Sequence, residues 1–156
     1  MSGFYENIND ALPDIKKVKE IKKELISKGV KYIYSNWIDF LGTPKTKPMP
    51  ISDFVNLCMG KGPQFAVHSV SFVPELTPAD NDQVSLPDLD SLVICPWDKT
   101  CAWVFADLFW NGKPYDVCPR MTLKRQINKS AKADLKFFIG IEPEFFLMKW
   151  DGDKPV

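Results

Sequence analysis

The chain has 156 residues, 45% of them hydrophobic and 13% aromatic, enough for one ordinary domain or a small domain and the start of another, and too apolar for global disorder. Twenty Lys and Arg balance twenty Asp and Glu, so no basic field exists to hold nucleic acid or an anionic membrane as a partner. Residues 1–12 lack the basic start and apolar run of a signal peptide, no window is apolar enough to span a bilayer, and Cys58, Cys95, Cys101 and Cys118 with the single His68 make no zinc ladder, so reduced thiols and a cytoplasmic location are expected.

Ile15, Val18, Ile21 and Leu25 recur at helical spacing within 14–28, with Gly29 placed to stop the helix. Lys16, Lys17, Lys19, Lys22 and Lys23 read as its solvated side. Residues 30–38 alternate as a strand, break at Leu41-Gly42-Thr43-Pro44 and resume towards Met49. Ser52 is placed to cap a short helix through Asp53, Phe54, Val55 and Leu57 that Gly60 and Gly62 end. Alternation over 65–72 predicts a further strand, 74–87 a polar loop, 89–95 a strand, and 101–110 a strand closed by the Asn111-Gly112 turn and Pro114. Among the aromatic residues, Trp97, Trp103, Phe105, Phe109 and Trp110 are expected in core or sheet packing. At Cys118-Pro119-Arg120 a helix opens with proline in its tolerated first turn, and a domain boundary is placed there. Residues 136–148, apolar nearly throughout, predict a strand covered on both faces.

On such a strand Glu142 and Glu144 stand side by side, because residues two apart share a face. Two carboxylates packed among Phe138, Phe146 and Met148 call for compensation, and hard oxygen donors suit Mg²⁺ or Mn²⁺. On spacing alone, exposed charge at a strand end is the commoner use of such a pair. Asp39, by its position ahead of Gly42, reads first as a turn residue.

The run Gly140-Ile141-Glu142-Pro143-Glu144-Phe145-Phe146-Leu147 resembles the G-x-E-P-E-F-F-L strand of glutamine synthetases. Upstream and in order, Asp39-Phe40-Leu41-Gly42 with Lys45 resembles that family's D-x-x-G-x-x-K segment. Residues 87–97 are similar to its P-D-L-x-T-x-x-x-x-P-W segment, and Pro119-Arg120 with Leu123-Lys124-Arg125 to its P-R-x-x-L-K-R helix. The resemblance implies an α+β fold: a helical segment over 1–27, a β-grasp-like amino-terminal domain over 28–112, and over 118–156 the first helix and strand of a catalytic domain. It further implies ATP-dependent formation of glutamine from glutamate and ammonia through γ-glutamyl phosphate, with ATP as co-substrate and same-family subunits in a ring oligomer. Glu142 and Glu144 would then hold two different divalent ions, Mg²⁺ or Mn²⁺. Asp39 would be the aspartate lent to a neighbouring subunit's site to attract ammonium and remove a proton.

One stretch departs from the common pattern. An F-D-G-S-S-like segment is replaced by Phe65-Ala66-Val67-His68-Ser69-Val70. With Asn36-Trp37 and Asn111-Gly112-Lys113-Pro114-Tyr115, this is more similar to the branch that includes γ-glutamylmethylamide synthetases, so a small amine is the alternative nucleophile. His68, without placed partners, is left out of the site. A third reading, from another class, is a stand-alone β-grasp module that binds related subunits without catalysis. Under the ligase reading these 156 residues alone are expected to be inactive, because two carboxylates do not make a site.

Overall fold

A computed structural model describes residues 5–68 and 75–156. Helix α1, Ile15–Ser27, begins where the Asp14 carboxylate accepts a hydrogen bond from the Lys16 amide at 2.7 Å. It ends around Gly29, at φ +85°, where the Gly29 amide donates to the Ile26 carbonyl and the Val30 amide to the Leu25 carbonyl, each at 3.0 Å. A side chain at that left-handed position would be strained, which explains the glycine. Leu25 and Val30 are buried in one cluster and turn the chain into the sheet. The lysine face is exposed, except that Lys22 reaches across to donate to the Ser52 carbonyl.

β1, Tyr32–Ile38, pairs antiparallel with β2, Pro44–Pro50. A turn of 3-10 helix, Ile51–Asp53, leads into the short α2, Phe54–Cys58, whose Phe54, Leu57 and Cys58 are buried. Ser52 therefore lies inside the 3-10 turn and does not cap α2, whose start carries no side-chain cap. β3 is only Gln64–Phe65, and Val67 and His68 are already helical. The expected strand over 65–72 is thus not formed as far as His68, and its remainder lies outside the described residues.

β4, Gln83–Pro87, occupies the end of what reads as a polar loop. Residues 89–95 hold a 3-10 turn, Leu89–Ser91, and then β5, Val93–Ile94, rather than one strand. β6, Cys101–Trp110, matches its expected limits and is the hub of the sheet. Its first half pairs in parallel with β1 and antiparallel with β5, and its second half pairs antiparallel with β4. After the Asn111-Gly112 turn, β7, Lys113–Pro114, folds back on it. The resulting order is β2-β1-β6-β4-β3, and it curls enough for Ser35 of β1 and Ser85 of β4 to bring their hydroxyls within 3.1 Å. Val18 and Leu25 of α1, Phe54 and Leu57 of α2, and Ile33, Ala102 and Val104 of the sheet form one apolar cluster. A second gathers Trp37, Phe65, Leu86, Leu108, Phe109 and Met121. This is the expected α+β, β-grasp-like class.

Helix α3, Pro119–Lys132, opens with proline at its first turn and buries only Met121. Beyond it, residues 136–148 form no strand: Phe138 and Leu147 are each 94% exposed, and the next pairing is the small hairpin of β8, Trp150–Asp151, and β9, Lys154–Pro155. An apolar strand needs paired edges and covered faces, and no described residue supplies either. Trp97, Trp103 and Phe105 also correct the expectation of a core role. They form an exposed edge-to-face ladder, with ring centroids 6.1 and 6.4 Å apart, whereas Phe109 is buried. No helix among the described residues is long and apolar enough to cross a membrane.

Candidate functional site

Asp39 closes the turn between β1 and β2. Its Oδ1 accepts hydrogen bonds from the Leu41 amide at 2.9 Å and the Thr43 amide at 2.8 Å, and its own amide donates to the Thr43 carbonyl at 3.0 Å. The Gly42 amide returns to the Asp39 carbonyl at 3.0 Å, with Gly42 at φ +82°. Oδ2 faces the Lys45 ammonium at 3.4 Å, and only 1% of the Asp39 side chain is exposed. The D-x-x-G-x-x-K spacing thus has a physical reason: the aspartate satisfies two turn amides, the glycine takes the left-handed position, and the lysine balances the buried charge. The turn role read from the residues and a charged site therefore coincide in one side chain.

Glu142 and Glu144 are exposed on the irregular segment after α3, and no hydrogen bond or ion pair ties either to another described residue. Without a paired strand, nothing fixes the two on a common face. Two hard carboxylate donors suit Mg²⁺ or Mn²⁺ in kind but not in number. Among the described residues no group of three or more His, Cys, Asp or Glu side chains converges to hold a metal ion. The residues present therefore do not by themselves fit a divalent ion, and Asp39, fixed in its own turn, is not joined to them by any contact. His68 has a buried Nδ1 without a hydrogen-bond partner among the described residues and stays outside the candidate site.

The fold assembles four charges that no sequence motif groups together: Asp88, just after β4, and Asp107 of β6 against Arg120 and Lys124 of α3. The signals of this cluster were the single aspartate inside the apolar run of β6 and two cations four residues apart on one helix face.

No protein-family model matches the chain. Over 127 residues it is 37% identical to a glutamine synthetase of Rhizobium meliloti (strain 1021), an alignment covering 81% of this chain and 28% of that protein. The chain belongs to the glutamine synthetase family. Within the family it is also 30% identical over 132 residues to a glutamate–methylamine ligase of Methyloversatilis universalis, covering 83% of this chain and 29% of the relative. Solved structures of GmaS share the fold: a GmaS–ADP complex superposes with a TM-score of 0.66 at 27% identity, over 72% of this chain and 26% of that one. A ligand-free GmaS gives 0.67 at 27% identity, over 73% and 26%. The chain thus spans 28% and 29% of the lengths of the two curated relatives named.

Proposed function

We propose that this chain is part of an ATP-dependent ligase that makes glutamine. In that reaction the γ-carboxylate of glutamate takes the terminal phosphoryl group of ATP, releasing ADP. Ammonia then attacks the γ-glutamyl phosphate, forming the C–N bond as phosphate leaves and a proton is lost to a base. The observation that carries the reading is the 37% identity to a glutamine synthetase across 81% of the chain. Asp39 is assigned to attract ammonium and accept its proton. Support comes from its buried charge and from the Lys45 ammonium 3.4 Å from Oδ2, the place a cation takes against this carboxylate. Glu142 and Glu144 are assigned to divalent-ion sites that need further ligands. The division at 28–112 and 118–156, a ring of same-family subunits and a cytoplasmic location belong to the same proposal.

A second reading keeps the chemistry and changes the nucleophile to methylamine. It is favoured by the 30% identity to a glutamate–methylamine ligase and by the likeness to GmaS. The experiment is steady-state kinetics of the intact gene product with each amine as acceptor. A higher kcat/KM for ammonium supports glutamine synthesis, a higher value for methylamine supports the second reading, and no amide product from either overturns both.

A further inference from the structure

Helix α3 lies on the sheet with little apolar burial: Met121 is its only buried residue, while Leu123 and Ile127 on later turns are 57% and 48% exposed. What joins it to the sheet is charge. Arg120 Nη2 donates to Asp88 Oδ2 at 2.6 Å and Arg120 Nε to Asp107 Oδ1 at 3.1 Å. Lys124 Nζ donates to Asp88 Oδ2 at 3.0 Å and also to Asp107 Oδ2. Each carboxylate is therefore bridged by both cations, closing a ring of four ion pairs. Asp107 sits on β6 with 5% of its side chain exposed, and Asp88 follows β4 with 24% exposed. The Arg120 guanidinium also rests 5.5 Å from the centroid of the Phe105 ring.

We infer that Asp88, Asp107, Arg120 and Lys124 form the joint that orients α3 against the sheet, with Arg120 and Lys124 as its positioning residues. The inference stands on this geometry and does not rest on the ligase reading. A planar guanidinium bonded to one carboxylate on β6 and another just after β4 restricts the direction of the helix axis more than the apolar contact at Met121 does. The ring acts as a unit, since removing one member leaves the others partly buried and unbalanced. Lys17 of α1, Asp90 and Tyr5 line the same recess beside Asp88, Asp107 and Lys124, and the Asp90 amide donates to Asp88 Oδ1 at 3.3 Å.

Burial alone would raise the Asp88 carboxyl, but hydrogen bonding and charge from Lys124, with Arg120, hold it below the usual aspartate range. For Lys124, burial alone would lower the ammonium, and Asp107 and Asp88 carry it above the usual lysine range. The lowered Asp88 stabilises the joint fully above the ordinary aspartate value of about 3.9, and this is lost as pH falls through its folded value. The raised Lys124 contributes fully below the ordinary lysine value of about 10.4, and this is lost as pH rises through its folded value.

The test is amide hydrogen exchange on the 156-residue chain, resolved for α3 and for β6. Lys124→Gln should lower protection of α3 about tenfold while β6 keeps its own, and Lys124→Arg should restore most of the loss. In the unsubstituted chain, protection of α3 relative to β6 should fall in acid below the ordinary aspartate range. Arg120→Gln carries the same prediction through the other cation. Unchanged protection of α3 in both glutamine variants, equal loss in α3 and β6, or no acid dependence of their ratio would overturn the inference.

Discussion

At the scale of one residue, Asp39 matters most, because its two oxygens have separable duties. Oδ1 holds the turn amides of Leu41 and Thr43, and Oδ2 keeps the charge that Lys45 balances. Asp39→Asn retains an acceptor for the turn and removes the charge, so in the intact gene product it should leave stability nearly unchanged. The ammonium-dependent kcat/KM should meanwhile fall on the order of a hundredfold, the scale of a lost general base. Asp39→Ala should also cost about 1–2 kcal/mol of stability through the two orphaned amides. Thermal unfolding alongside kinetics separates these effects, and full activity in Asp39→Asn would remove the proposed proton-accepting role. Asp39 is legible in the sequence as a turn residue that shares the D-x-x-G-x-x-K segment with Lys45, but its burial and the charge contact between the two exist only in the folded chain.

Among the elements, those whose sequence period matches their environment were legible. β6 alternates because Ala102 and Val104 face the apolar cluster while Trp103 and Phe105 face out, and α1 announces both ends through Asp14 and Gly29. β4 was hidden because Gln83 and Ser85, though buried, are polar, so a covered strand read as a hydrophilic loop. Ser85 finds its partner in Ser35, fifty positions away in sequence. The aromatic ladder misled in the opposite sense, since large rings on an open sheet face look in sequence like core. Gly42 offers a clean check on the β1–β2 turn. With φ at +82° and no atom within 4 Å of the place an alanine methyl would take, Gly42→Ala should cost about 1–2 kcal/mol from backbone strain alone. Denaturant unfolding measures this, and a neutral or stabilising effect would show that the turn is not held as described.

For the whole molecule, the curled sheet with α1 and α2 over it was legible as a class because strand, turn and helix signals agreed along the chain. Residues 136–148 were not, because a strand exists only with its neighbours, and composition alone cannot say whether those neighbours are present. The same reason divides the candidate site: Asp39 sits in finished structure, while Glu142 and Glu144 lie exposed with no converging ligands among the described residues. Family membership joins these parts into one reading, a ligase whose chemistry needs more than the described residues supply. That reading is tested by following ADP, phosphate and amide together, with ATP, glutamate and ammonium given to the intact gene product and, separately, to the 156-residue chain. Equal amounts of ADP, phosphate and glutamine are expected from the former and none from the latter; glutamine made by the short chain alone, or ATP consumed by the gene product with no amide from ammonium or methylamine, would contradict it.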